Sequence, residues 1–173
     1  MKKLLFVVLL SGLSITNTYA GAGDTLEKMG DLMQVMVPTY AFGMAMNEEG
    51  WDGAKQFAYS FGAMEATVYG LKYTIKAKRP NKADNHSFPS GHTAAAFSGA
   101  SFIHKRYGLK RAIVPYLMSG FTGYSRVVAN KHHWRDVIGG AVIASAISWV
   151  IVDDYNGVSV SASPERISFH TTF

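Results

Sequence analysis

The chain has 173 residues, a formal net charge of +5 at neutral pH and no cysteine. The length suits one domain, and the lack of cysteine excludes a disulfide framework, a thiolate nucleophile and a cysteine-based metal site. A charge this small does not indicate a nucleic-acid partner, but it would suit a local basic pocket for an anionic substrate.

The opening segment, MKKLLFVVLLSGLSITNTYA, has the pattern of a secretory signal. Two lysines precede the apolar run Leu4–Leu10, and Thr18 and Ala20 supply small residues at the two positions that a signal peptidase reads. We expect residues 1–20 to be a signal peptide, cleaved after Ala20, that delivers the chain to a bacterial periplasm. A retained membrane anchor is the alternative, but the apolar run is short for a span of about 20 residues.

The next part of the chain predicts an all-α domain over residues 21–157. Of all residues, 48% are hydrophobic, and several runs are apolar on nearly every side, as in helices of a covered bundle core or helices that contact lipid. The mean hydropathy is only +0.05, which is low for a protein that spans a membrane many times. We predict five helices, with Pro38 kinking the first, at residues 24–46, 51–77, 91–107, 109–128 and 133–153.

The tail, residues 158–173, has a different pattern. Apolar and polar residues alternate around Val158 and Val160 and again around Ile167 and Phe169, and the sequence SPE separates the two stretches. A period of two residues broken by turn formers predicts a small β-hairpin.

Two cations stand at the end of the second predicted helix. Lys72 and Arg79 are seven residues apart, about 20° short of two full turns, so a helix would carry both on one face. Pro80 disfavours helix at Arg79, which places Lys72 on the helix and Arg79 just past its end. Both could meet one phosphate, with Arg79 supplying a planar fork. The alternative is an ordinary solvated helix end.

The third predicted helix begins in the stretch SFPSGHTAAAF, which includes Ser90, Gly91 and His92. The first turn of a helix leaves N–H groups unpaired at the positive end of the dipole, so it can bind an anion. The alternative is a serine cap on an ordinary helix.

A histidine and an aspartate stand four residues apart just before the fifth helix. His132 and Asp136 would share one face of a helical turn. A carboxylate that accepts from Nδ1–H leaves Nε2 with a free lone pair, which makes the histidine a candidate general base or nucleophile; a surface pair is the alternative. No HExxH pattern is present, so metal binding is a weaker hypothesis for the other histidines, which include His86, His104, His133 and His170.

Together these stretches resemble the superfamily that holds the type 2 phosphatidic acid phosphatases, bacterial non-specific acid phosphatases and vanadium haloperoxidases. The resemblance rests on three motifs in order and spacing: Lys72-x6-Arg79-Pro80, Pro89-Ser90-Gly91-His92 and Ser125-Arg126-x5-His132-x3-Asp136. It implies a helical bundle and a phosphoric monoester hydrolase.

The resemblance also implies roles for single residues. His132 would attack phosphorus and form a phosphohistidine, Asp136 would orient His132, and His92 would protonate the leaving oxygen and then activate water. The residues implied to bind phosphate are Lys72, Arg79, Ser90, Gly91 and Arg126. No metal or other cofactor is implied, because three cations supply the charge that a metal ion supplies elsewhere.

The substrate class stays open between two kinds of phosphomonoester. Apolar helices favour a lipid-linked phosphate and contact with a membrane surface, whereas the low mean hydropathy and the signal favour small soluble esters, as for a non-specific periplasmic acid phosphatase. A vanadium haloperoxidase and a non-catalytic envelope protein that kept the pocket are further alternatives.

Overall fold

Five α-helices make up most of the computed structural model, which describes residues 22–155, 158–163 and 166–171. The helices are α1 Ala22–Glu49, α2 Trp51–Ile75, α3 Gly91–Tyr107, α4 Leu109–Val128 and α5 Trp134–Ile151. The all-helical, five-helix prediction is therefore confirmed, while the predicted signal peptide lies outside the described residues.

Three helices differ from the prediction at their ends. The first begins two residues earlier and ends three residues later than the predicted 24–46. The second helix ends two residues early, because Lys76 adopts a left-handed conformation with φ of 51°. The fifth begins one residue late and ends two residues early, because His133 and Val152 are both extended. His132 therefore lies in the turn before α5, and its closeness to Asp136 comes from that turn and not from a shared helical face.

Helix α3 lies at the centre and packs against each of the other four helices. Its buried side includes Ala94, Ala96 and Ala100, all fully buried, and such small residues allow neighbouring helices to approach closely. Since α3 begins with the predicted anion-binding stretch, the packing fixes the position of that stretch in the middle of one end of the bundle.

The opposite end of the bundle is tied by a buried ion pair. Glu49, the last residue of α1, pairs with Arg106 and accepts a 2.6 Å hydrogen bond from the hydroxyl of Tyr107. Burial and the neighbouring carboxylate raise the pKa of Tyr107. These contacts join the C-terminal ends of α1 and α3. The motif residues of α2 to α5 lie at the other end of the bundle, where α3 begins.

Two strands follow the helices. β1 Val158–Ser163 and β2 Arg166–Thr171 pair antiparallel, with Val158 opposite Thr171 and Ser163 opposite Arg166. The division of the chain into a helical domain and a separate tail stays a prediction.

Large apolar side chains are exposed on several helices. Val150, Leu117 and Trp51 are 85%, 69% and 70% exposed. In the described part of the chain, one helix, Trp134–Ile151, has the length and mean hydropathy, 1.3, needed to cross a membrane. Extensive apolar exposure of this kind is typical of proteins that contact a membrane or another protein.

Candidate active site

The three motif stretches meet in one cleft at the end of the bundle where α3 begins. The main part of the cleft has a volume of about 490 Å³, and its walls include Lys72, Arg79, Gly91, His92 and His132. A smaller neighbouring part, about 360 Å³, shares Arg79, His92 and His132 and adds Arg126. Residues from distant parts of the sequence thus surround one cleft, as the resemblance implied.

His132 is almost fully buried and has a defined set of neighbours. Its Nε2 lies 3.1 Å from Nη1 of Arg79. A guanidinium can only donate, so Nε2 accepts and the ring proton belongs on Nδ1. That nitrogen lies 3.4 Å from Oγ of Ser87 and 3.7 Å from Oδ2 of Asp136. The expected direct hydrogen bond to Asp136 is therefore longer than an ordinary one, and Ser87 stands beside it.

The environment keeps the imidazole of His132 neutral. Burial, reinforced by the positive charges of Arg79 and Lys72, lowers the pKa of His132 to about 4, although the carboxylate of Asp136 opposes the shift. A neutral ring is the form that has a lone pair to give, so the arrangement suits a nucleophile or a base at neutral pH.

Asp136 joins the starts of two helices. Its Oδ2 accepts a 2.6 Å hydrogen bond from the hydroxyl of Ser87 and a 2.9 Å bond from the backbone N–H of His133. Its backbone carbonyl accepts from the N–H of Ser90 at 2.9 Å. The carboxylate is fully buried, so these donors supply the stabilisation that solvent would otherwise give.

Ser90 caps α3, as the plainer of the two interpretations predicts. Its Oγ accepts from the hydroxyl and, at 3.5 Å, from the backbone N–H of Thr93. Both bonds use Ser90 as an acceptor, so its own proton remains available to a ligand. Helix α5 approaches closely at this point, because a Cβ on Gly140 would lie 2.5 Å from the carbonyl oxygen of Ser90.

Lys72 is held by the loop that leads to α3. Its Nζ donates to the backbone carbonyls of His86, at 2.9 Å, and Pro89, at 2.6 Å. An ammonium has three N–H groups, so one remains for an anion in the cleft. Burial and the nearby Arg79 lower the pKa of Lys72.

Arg79 lies in the loop after α2, as expected, and is fixed on two sides. Its Nε lies 2.9 Å from both carboxylate oxygens of Asp84, and its Nη1 donates to the backbone carbonyl of Lys131 at 3.2 Å. The guanidinium is thereby aimed at His132, and little side-chain entropy would be lost when it binds an anion.

Arg126 is 2% exposed and faces α1. Its Nη1 donates to Oδ1 of Asp31 at 2.6 Å, its Nε donates to Oγ of Ser125 at 3.1 Å, and its Nη2 donates to the backbone carbonyl of Glu27. The close approach depends on Gly30, since a Cβ there would lie 2.8 Å from Nη2 of Arg126.

His92 occupies the first turn of α3 and contacts the same aspartate. Its Nε2 lies 3.1 Å from Oδ1 of Asp31. Burial and then the charge of Arg126 lower the pKa of His92, whereas Asp31 opposes that change. All eight predicted site residues lie at this end of the bundle.

Two residues of the site, Ser87 and Asp31, were not found from the sequence. Ser87 is the first residue of the stretch SFPSGHTAAAF, in which α3 begins, but nothing in its spacing indicates that it is a partner of Asp136. Asp31 and Glu27 are four residues apart on one predicted helix. This acidic pair was the one feature of the sequence that could have indicated partners for the basic motif residues. Within the described ranges, no group of three or more histidine or acidic side chains could hold a metal ion.

Comparisons with known proteins find similar chains. The profile described as the PAP2 superfamily matches residues 53–158. A lipid A 1-phosphatase of Porphyromonas gingivalis is 32% identical over 136 residues, which cover 72% of this chain and 30% of that protein. A lipid A 4'-phosphatase of Helicobacter pylori is 29% identical over 141 residues, which cover 75% of this chain and 71% of that one. The chain therefore spans less than a third of the first relative and most of the second.

Two solved structures have a similar fold. A transmembrane PAP2-type phosphatidylglycerolphosphate phosphatase from Bacillus subtilis superposes with a TM-score of 0.60 at 21% identity, over 75% of this chain and 74% of that one. LpxE from Aquifex aeolicus superposes with a TM-score of 0.55 at 20% identity, over 73% of this chain and 92% of that one. At these identities the likeness concerns the fold alone.

Proposed function

Because the chain belongs to the PAP2 superfamily, we propose that it is a metal-independent phosphatase that hydrolyses lipid-linked phosphomonoesters through a phosphohistidine. The observation that carries the proposal is the setting of His132. Its Nε2 accepts from Arg79 in the cleft, while Ser87 and Asp136 stand behind Nδ1. The ring is thus held neutral, with its lone pair on the nitrogen beside a phosphate-binding cation.

In the first step, the lone pair of His132 Nε2 attacks phosphorus and the bond from phosphorus to the ester oxygen breaks. The electrons of that bond go to the leaving oxygen, which takes a proton from His92. The ring of His132 becomes positive when the new P–N bond forms. The buried carboxylate of Asp136 and the hydroxyl of Ser87 then face that charge at Nδ1.

Fixed donors hold the phosphoryl oxygens through this step. Lys72, Arg79 and Arg126 supply positive charge, and each is held by protein acceptors. The hydroxyl of Ser90 and the backbone N–H of Gly91 add donors at the start of α3. Such prearranged charge stabilises the transition state because the site does not reorganise during the reaction.

In the second step, His92 is neutral and removes a proton from water. The water oxygen attacks phosphorus, the P–N bond breaks, and its electrons return to Nε2 of His132. Inorganic phosphate leaves, His92 is protonated again, and both histidines regain their starting states.

The apolar exposed surface supports a lipid substrate and association with a membrane. The relatives are named lipid A phosphatases, and plant relatives are named lipid phosphate phosphatases. In this chain, apolar side chains such as Tyr69 and Tyr73, which are 57% and 64% exposed, stand on α2 beside the cleft. We infer that they contact the acyl part of a substrate whose phosphate enters the cleft from the periplasmic face of a membrane.

The test is phosphate release by the purified full chain. Phosphatidic acid and lipid A in mixed micelles are compared with p-nitrophenyl phosphate, each with wild type, His132→Ala and the matched control His104→Ala. His104 lies at the far end of α3 and contacts Tyr116, so its variant is expected to stay active. Release that depends on His132 and is faster for the lipids supports the proposal, whereas faster release from the soluble ester indicates a non-specific acid phosphatase. Release that is equal in His132→Ala contradicts the mechanism.

A further inference from the structure

We propose that Asp31 is a positioning residue for His92: it holds the imidazole with a proton on Nε2, so that Nδ1 is the nitrogen that gives and takes the catalytic proton. The proposal rests on the proposed function, because it assigns a partner to the acid and base of that reaction. No sequence motif includes Asp31, which lies on α1, upstream of the matched region.

The geometry has one carboxylate oxygen serving two groups. Oδ1 of Asp31 lies 3.1 Å from Nε2 of His92 and 2.6 Å from Nη1 of Arg126. Both distances are within hydrogen-bonding range. A carboxylate only accepts, so Nε2 of His92 donates and carries a proton in both charge states of the ring.

Arg126 has other acceptors, but His92 depends on Asp31. The guanidinium also donates to the carbonyl of Glu27 and the hydroxyl of Ser125. Among the residues that the structure describes, Asp31 is the partner found for the ring of His92. Loss of the carboxylate would therefore release the imidazole, while Arg126 would keep two of its three contacts.

Two guanidinium groups act on His92, which gives the carboxylate of Asp31 an electrostatic effect as well. The charged or titratable groups around the cleft are Glu27 and Asp31 on α1, Glu65, Tyr69, Lys72 and Tyr73 on α2, Arg79, Asp84 and His86 in the following loop, Arg126 on α4, Lys131 and His132 before α5, and Asp136 in its first turn. Arg126 and Arg79 disfavour the imidazolium, and Asp31 is the contacting anion that favours it. Asp31 thereby helps His92 to hold the proton that the first step needs.

The proton can be followed through both steps. In the first step, the imidazolium of His92 gives its Nδ1 proton to the leaving oxygen as the P–O bond breaks. The proton on Nε2 stays on the ring and keeps its hydrogen bond to Asp31. In the second, the Nδ1 lone pair takes a proton from the attacking water. Asp31 stays ionised throughout and exchanges no proton.

The kinetic test uses Asp31→Asn, which keeps the size of the side chain and removes its charge. The matched control is Glu48→Gln, which removes a carboxylate from the far end of the same helix, where it pairs with Arg111. We expect Asp31→Asn to slow phosphoenzyme formation from an alkyl phosphate about tenfold, less than the range of about 10²–10⁴ that a general acid contributes, because His92 itself remains. The loss with p-nitrophenyl phosphate should be much smaller, and the alkaline limb of the rate should move to lower pH. Asp31→Glu should recover part of the rate, and Glu48→Gln should change neither the rates nor the alkaline limb.

Equal losses for both leaving groups with an unmoved alkaline limb would overturn the proposal, and so would the same changes in Glu48→Gln. A second measurement needs no variant at Asp31. The ¹⁵N shifts of the His92 ring, assigned by its loss in His92→Gln, should report the Nε2–H tautomer in the neutral ring. The Nδ1–H tautomer would refute the assignment even if Asp31→Asn did not fold. Because the tautomer needs no turnover, an inactive wild type would count against the proposed function alone.

Discussion

The hydroxyl of Ser87 donates a 2.6 Å hydrogen bond to the buried carboxylate of Asp136, across the gap between the loop before α3 and the start of α5. The same oxygen lies 3.4 Å from Nδ1 of His132. One small side chain thus links His132 and Asp136, which lie too far apart for a good direct hydrogen bond.

We predict that Ser87→Ala lowers both stability and the rate of phosphoenzyme formation. The carboxylate of Asp136 would keep only the N–H of His133, and a hydrogen bond to a charged group contributes about 1.5–3 kcal/mol. The free energy of unfolding, from urea denaturation, should fall by about that amount. Ser101→Ala is the control, since its hydroxyl pairs with Ser145 away from the cleft. If Ser87→Ala is as stable as wild type and forms the phosphoenzyme at the same rate, Ser87 does not link His132 to Asp136.

We predict that His132→Ala folds but forms no phosphoenzyme. Wild type that is mixed with ³²P-labelled substrate and quenched at a pH where phosphoramidates survive should carry label on His132, as identified by peptide mapping. His104→Ala should be labelled like wild type. Label on a serine, or on another histidine, contradicts the assignment.

The lowered pKa of His132 predicts a stability that depends on pH. The ring has a pKa of about 4 in the fold and about 6.5 in the unfolded chain, so the unfolded state binds more protons between these values. This contribution is fully present above pH 6.5 and is lost as the pH falls toward 4, at about 1.4 kcal/mol for each pKa unit. Urea denaturation at pH 7 and pH 4.5 should show a smaller difference for His132→Asn than for wild type. An equal difference would mean that the ring is not kept neutral by the fold.

We predict that EDTA leaves the activity intact and that vanadate inhibits competitively. Three held cations supply the charge at the phosphate position, and vanadate can adopt the five-coordinate shape of the transition state. The measurement is the initial rate after extensive dialysis against chelator, followed by a vanadate titration at several substrate concentrations. Activity that is lost in EDTA and restored by Zn²⁺ or Mg²⁺ would contradict a metal-independent mechanism.

The role of His92 predicts a dependence on the leaving group. An alkoxide needs a proton as it leaves, whereas p-nitrophenolate is stable as an anion, so His92→Ala should lose most of the first-step rate with alkyl phosphates and much less with p-nitrophenyl phosphate. Burst kinetics isolate this step, which is necessary because the proposed mechanism also uses His92 as the base in the second step. Equal losses would leave His92 as a phosphate ligand at the start of α3.

The sequence predicted the helices and the motif residues for different physical reasons. Long apolar runs bounded by glycine, proline and acidic residues are local signals, and the five helices follow them to within a few residues. The residues of the three motifs could be expected to meet because the resemblance supplied a common ligand for them. Ser87 and Asp31 belong to neither class. Asp31 reaches Arg126 and His92 only after α1 packs against α3 and α4, and no local pattern encodes a contact between residues so far apart in the chain.

The contact between Arg126 and α1 also bears on how this enzyme can be dissected. The match to the family profile begins at residue 53, after the whole of α1. A recombinant fragment trimmed to that boundary would keep every motif residue, yet it would leave the guanidinium of Arg126 without the carboxylate of Asp31 and the carbonyl of Glu27. A fragment meant to keep these contacts of Arg126 therefore has to start upstream of Glu27, close to the cleavage point expected for the signal, and a tag fused there would lie only a few turns from the cleft.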